Sequence, residues 1–236
     1  MLRDHLRDAL SVVLPVDCPA CGEPASVVPC AECAGELAAS AAVTTRLLGP
    51  ADAPLEVVTG AAYSGVVRRL LLALKEEGRV GAARPLAGVL RPALLHALAG
   101  RTAVLVGPPG SYGRRLHRGY DPVELLVRAA GGRVTTPLRR VRASRDQKSL
   151  DRSERRGNLD GAFRARRPLV DAPEVVIVDD VVTSGATLLE LRRAIEAAGG
   201  TVRGAVALAG TPLRSDGDRS ADTRGGPHGE RRVTLR

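Results

Sequence analysis

Aromatic side chains are nearly absent. The chain of 236 residues has no tryptophan, one phenylalanine (Phe163) and three tyrosines (Tyr63, Tyr112, Tyr120). Its core must therefore be aliphatic, and a base-stacking platform for single-stranded nucleic acid, which needs several exposed rings, is disfavoured. Long apolar runs are also missing. The longest uncharged stretch, Thr102–Gly113, has twelve residues, whereas a membrane helix needs about 20, so no membrane span is expected. The N-terminus carries the acids Asp4 and Asp8, and no apolar h-region of a signal peptide is read there. No secretory signal is read, and the cytoplasm is the expected location. What remains is an ordinary globular mixture, 44% hydrophobic and 26% charged, long enough for one medium domain and a small module.

Lysine is scarce as well: only Lys75 and Lys148 stand among 35 basic residues, the rest being arginine, and against 26 acids the net charge is +9. Codon bias accounts for arginine over lysine but not for where the charge sits. Residues 138–167 hold eleven basic and four acidic side chains, and Gly107–Tyr120 has Arg114, Arg115 and Arg118 without an acid. Two localised basic segments suggest an anionic ligand, phosphates or a nucleic-acid backbone.

Hydrophobic patterning predicts strands over Val57–Tyr63, Ala103–Val106, Arg133–Thr136, Glu174–Val178 and Val202–Ala209. Helices are expected over Ser64–Glu77, Pro85–Ala99, Pro122–Ala130 and Thr187–Ala198, the last two stopped by Gly131-Gly132 and Gly199-Gly200. Alternation of strand and helix implies an α/β domain with a mostly parallel sheet flanked by helices. Residues 1–45 are poor in regular pattern, and the arginine-dense run up to Gly161 reads as a long loop. The expected organisation is a small cysteine-bearing module over 1–45, the α/β domain over 46–210, and a disordered polar tail over 211–236.

All four cysteines fall in two knuckles, Cys18-Pro-Ala-Cys21 and Cys30-Ala-Glu-Cys33. Each knuckle sets two thiolates on one tight turn, and the pair supplies the four-sulfur tetrahedron that zinc prefers. Two disulfides or a redox pair are the competing readings. A cytosolic setting disfavours disulfides, and a redox pair need not be duplicated. A structural zinc site, with no position left open for catalysis, is the expectation.

The sharpest motif runs from Val175 to Thr187. A hydrophobic strand leads into Asp179 and Asp180, then Val181 and Val182, then Thr183, Ser184, Gly185, Ala186 and Thr187 at the start of a helix. Small residues let backbone N–H groups approach an anion, and the helix start adds unpaired donors and partial positive charge. The acids can accept bonds from sugar hydroxyls, so a phosphorylated ribose fits the pattern. A Walker B strand also ends in acids, but the chain has no GxxxxGK[ST]. Thr187 as a simple N-cap and Asp180 as a solvated acid would account for single residues but not for the whole run.

This run resembles the signature of type I phosphoribosyltransferases that binds 5-phosphoribosyl 1-pyrophosphate (PRPP). Other segments narrow the resemblance to the ComF family: the paired knuckles, Tyr63-Ser-Gly with a leucine-rich helix and Lys75, Arg114-Arg-Leu-His-Arg-Gly-Tyr120, Arg145-Asp-Gln147, and Gly161-Ala-Phe163. It covers about residues 12–210. Asp121-Pro122 and Val106-Gly-Pro-Pro109 depart from the family's usual pattern. The resemblance implies a type I phosphoribosyltransferase-like fold with PRPP and Mg²⁺ at residues 179–187. Lys75, Arg114, Arg115, Arg118, Arg145 and Gln147 are then candidates to hold or cover the pyrophosphate. It implies either a phosphoribosyltransferase with an unknown acceptor and no evident general base, or a non-enzymatic accessory protein of DNA uptake. The second would use the fold as sensor or scaffold beside a helicase-like partner, with backbone contact to DNA still open.

Overall fold

The computed structural model describes residues 16–109, 119–141 and 159–211. Arg114, Arg115, Arg118, Arg145, Gln147 and nearly all of the expected tail lie outside the described residues.

The chain enters through a two-stranded ribbon, β1 (Val16–Asp17) and β2 (Pro24–Ala25), followed by helix α1 (Ala31–Ser40). The main sheet then collects β3 (Ala41–Leu48), β4 (Leu55–Ala62), β5 (Val104–Val106), β6 (Val134–Thr135), β9 (Val175–Val182) and β10 (Val202–Gly210). A second ribbon pairs β7 (Leu138–Arg140) with β8 (Phe163–Ala165). In space the sheet runs β3-β4-β10-β9-β5-β6, and every neighbour pair is parallel except β3 with β4. The expected mostly parallel sheet flanked by helices is the architecture found.

Among the described residues, four further α-helices join the strands: α2 (Gly65–Glu76), α3 (Ala83–Leu98), α4 (Pro122–Ala129) and α5 (Ala186–Glu196). In α2, Val66, Val67, Leu70, Leu71 and Leu74 recur at helical spacing, and all five are fully buried. They join α3 and α4 in a core on one face of the sheet, which includes Cys18, Cys33 and Leu37. On the other face, Leu188, Leu191 and Ile195 of α5 meet Val57, Ile177 and Phe163. Val175–Val178 are buried without alternation, as a strand covered on both faces requires. Full burial of each such aliphatic side chain contributes about 1.5–3 kcal/mol.

Three segments differ from expectation. Residues 31–48 form α1 and β3, although this part of the chain looked irregular; β3 also runs across residues 45 and 46, where a module boundary was expected. Its Val, Thr and Leu suit a strand, but partnership with β4 is what organises it. Strand β7 occupies part of the expected long loop and pairs with β8 just beyond it, with Leu138 and Phe163 buried on α5's side of the sheet. Strand β9 continues to Val182 rather than stopping at Val178, because Asp179, Val181 and Val182 still pair with Ala207, Ala209 and Gly210 of β10.

Candidate ribose-phosphate site and cysteine cluster

Strands β5 and β9 are neighbours, but the chain leaves them in opposite directions. After β5 it passes through α4 on one face to β6; after β9 it passes through α5 on the other face to β10. Such a reversal opens a crevice beyond the carboxyl ends of the strands, where open α/β sheets bind ligands. The run singled out in sequence sits there. Asp179–Val182 belong to β9, Thr183–Gly185 turn, and Ala186 and Thr187 begin α5.

Gly185 occupies the N-cap position of α5 at φ +77°, in the left-handed region. A β carbon there would collide with Leu48 of β3, so both backbone and packing require glycine. Thr187, weighed as a cap from sequence, is inside the helix. The Ser184 hydroxyl accepts a long bond from Ala186 N, 3.4 Å. Beneath the turn, the Arg46 guanidinium of β3 donates to Val182 O and Thr211 O, each at 3.0 Å, tying the ends of β9 and β10 together.

A cavity of about 620 Å³ lies over this turn, lined by Asp179, residues 181–188, Tyr63, Glu76 and Leu159. Tyr63 and Glu76 were not singled out as site residues. Their signal was adjacency, since Tyr63 directly follows β4 and Glu76 follows Lys75. Leu159 could not be found from sequence, because its place follows from packing on Ala162 and Ala186.

The two acids behave differently. Asp180 pairs with Lys75 Nζ at 2.7 Å, so Lys75, expected to cover a pyrophosphate, stands against the acid pair. Asp179 accepts Asp180 N at 2.9 Å, yet its carboxyl is pushed up to about 7, first by burial and then by the charge of Asp180. The Tyr120 hydroxyl donates to Leu74 O, beside Lys75. Asp121 caps α4, its Oδ1 accepting Val123 N and Glu124 N at 3.0 and 3.2 Å with Pro122 in the first turn. This explains the departure at Asp121-Pro122: the pair starts a helix.

The four cysteine sulfurs lie within 4.8 Å of one another. Cys30 N donates to Cys18 Sγ at 3.4 Å, and Cys21 Sγ stands 3.7 Å from Cys30 Sγ. Burial opposes ionisation of Cys18, but N–H groups of Cys30, Ala20 and Cys21 outweigh it and draw the thiol down to about 6. Cys33 goes up to about 12 through burial and then the crowding of the other thiols. Four cysteine sulfurs this close are consistent with a metal site, and thiolate donors suit a soft metal. Among the described residues, this is the one cluster of three or more metal-ligating side chains.

Fold and turn together define an α/β domain of the type I phosphoribosyltransferase kind. A model of the phosphoribosyl transferase domain matches residues 116–225. The DNA utilization protein YhgH of Escherichia coli is 32% identical over 187 residues, 74% of this chain and 75% of that protein. The competence protein ComFC of Streptococcus pneumoniae is 34% identical over 91 residues, 39% of this chain and 40% of that protein. Adenine phosphoribosyltransferase from Saccharomyces cerevisiae covers 76% of this chain and 89% of its own at 14% identity, with a TM-score of 0.38. The chain belongs to the ComF/YhgH family, proteins with a phosphoribosyltransferase domain and an N-terminal four-cysteine cluster.

No helix among the described residues is long and apolar enough to cross a membrane.

Proposed function

We propose that this chain is an accessory protein of DNA utilization or uptake that recognises PRPP, or another phosphorylated ribose, in the cavity over residues 183–187. The observation that carries the ligand reading is the turn itself. A glycine in the left-handed region starts an eleven-residue helix directly after an acid-bearing strand, over a cavity of about 620 Å³. In this reading the amides of residues 184–187 and the hydroxyls of Thr183, Ser184 and Thr187 hold the 5-phosphate. Asp179 and Asp180 accept the ribose hydroxyls, and Lys75 faces the acids and the ligand's negative charge. Arg114, Arg115, Arg118, Arg145 and Gln147 are proposed to meet the pyrophosphate. The cellular role rests on the names of the relatives.

Zinc is the proposed metal of Cys18, Cys21, Cys30 and Cys33. Mg²⁺ is proposed to arrive with the pyrophosphate, because Asp179, Asp180 and Glu76 form no metal-ligating cluster of their own; bound there, it would offset the diphosphate charge. A second reading, transfer of the phosphoribosyl group to an acceptor, is favoured by the match to the transferase domain. The protein's contribution would then be to hold the phosphates and stabilise the departing pyrophosphate. No residue is assigned as base, and the acceptor is unassigned.

Calorimetry with PRPP, ribose 5-phosphate and pyrophosphate tests the ligand. PRPP should bind more tightly than either fragment, and Asp180→Asn should weaken PRPP more than pyrophosphate, which offers no hydroxyls. Equal losses for both would refute the assignment. Salt-titrated binding to DNA tests the role: affinity that falls steeply with salt supports backbone contact by the arginine-rich segments, and none at low salt removes direct DNA binding.

A further inference from the structure

Helix α2 is held at both ends by the cysteine module. At its start, Ser64 stands in the N-cap position without a side-chain bond. Glu36 of α1, three residues beyond Cys33, supplies the cap instead. Its Oε1 accepts Val66 N at 2.9 Å, and its Oε2 accepts from Arg69 at 2.6 Å. Gly65 lies at φ +50°, and a β carbon on it would be 2.7 Å from Glu36 Oε1. The carboxylate thus occupies space that only glycine leaves. Beyond the other end of α2, Arg79 donates to Asp17 O at 3.0 Å, one residue before Cys18. Between these ties, the buried face of α2 shares its core with Cys18, Cys33 and Leu37.

The last turn of α2 carries Lys75, whose ammonium pairs with Asp180, and Glu76, in the cavity wall. The residue before α2's cap is Tyr63, in the same wall. One rigid helix therefore spans from the cysteine cluster to the acid pair.

We propose that the four-cysteine module is the positioning element of the ribose-phosphate site: it fixes α2, and through α2 it holds Lys75 against Asp180. The proposal rests on the reading of that cavity as a phosphorylated-ribose site. Glu36 acts as a positioning residue, since its carboxylate touches α2 and does not line the cavity. A metal on the four sulfurs keeps α1 and the β1–β2 ribbon in one arrangement. Its loss leaves both ends of α2 attached to a module with no fixed shape. Ligand affinity then depends on the metal even though no sulfur faces the ligand.

The test uses the full zinc-loaded chain with Glu36→Ala and Glu36→Gln. Zinc content and PRPP affinity are measured for each, alone and in a Lys75→Met background. Glu36→Ala should keep its zinc and bind PRPP about tenfold more weakly, the scale of a lost helix cap. Glu36→Gln should recover most of the loss, because its amide oxygen still accepts Val66 N. In the Lys75→Met background, Glu36→Ala should cost less than about a further twofold, as residues acting through one another are not additive. Unchanged affinity in Glu36→Ala, losses that multiply in the double variant, or loss of zinc from Glu36→Ala would each overturn the relay. If the wild-type chain binds no PRPP, the ligand reading fails, and hydrogen exchange decides the positioning without ligand. Removing zinc with a chelator should speed exchange in residues 66–76 and spare residues 186–196. Unchanged exchange in 66–76, or equal loosening of both segments, would overturn it.

Discussion

Asp179 should make the protein less stable as the pH rises. Its carboxyl is carried from 3.8 to about 7 by burial and by the neighbouring Asp180. In the unfolded chain it ionises near 3.8, so between about pH 4 and 7 the folded state binds more protons. Stability must therefore fall across that window and level off above it. At 1.36 kcal/mol per pH unit, the fall between pH 5 and pH 8 is about 2.5 kcal/mol. Asp179→Asn removes the titration and keeps an oxygen able to accept Asp180 N, a bond of 2.9 Å in the wild type. Denaturant unfolding at pH 5 and pH 8 should show the variant gaining about 2.5 kcal/mol on the wild type over that interval. The same variant should lose PRPP affinity, a stability gain set against function. A stability difference between variant and wild type that is the same at both pH values would refute the reasoning.

Gly185→Ala should destabilise by about 2–4 kcal/mol, combining the left-handed backbone with a collision at Leu48; a melting temperature equal to wild type would contradict this, and Gly185→Val should be worse. Glu190 is buried; burial alone would push its carboxyl up, but bonds from Arg193 and Phe163 N, the latter at 3.0 Å, hold it below the usual range. Its contribution is present at neutral pH and is lost as pH falls through the lowered value, so Glu190→Ala should cost about 1–3 kcal/mol at pH 7 and less in acid, checked by urea unfolding at both. Arg46→Met should weaken PRPP binding by releasing the carbonyls of Val182 and Thr211; unchanged affinity by calorimetry would show that the turn keeps its shape without the clamp. Cys30→Ser should lower zinc content below one per chain, measured by metal analysis, as expected when one of four thiolates is lost.

Local pattern was enough wherever the chain's own periodicity decides the outcome. The i, i+4 recurrence of Leu70 and Leu74, and of Leu191 and Ile195, specifies helices that must bury one face, and Val175–Val178 specifies a strand covered on both sides. The cysteine spacing likewise announces two knuckles that each set a pair of thiols on one tight turn. The run from Asp179 to Thr187 announces its turn because small residues and a glycine leave little else for it to form. Tertiary structure decided what depends on partners. Strand β9 reaches Val182 only because β10 offers pairing partners that far, and β3 exists as a strand because β4 stands beside it. Lys75 meets Asp180, and Glu36 caps a helix 30 residues away, through long-range geometry that no local period encodes. Sequence determines which groups are available; the packing of α1 and α2 determines which of them face one another, because side chains far apart in the chain acquire neighbours only when the sheet brings their elements together.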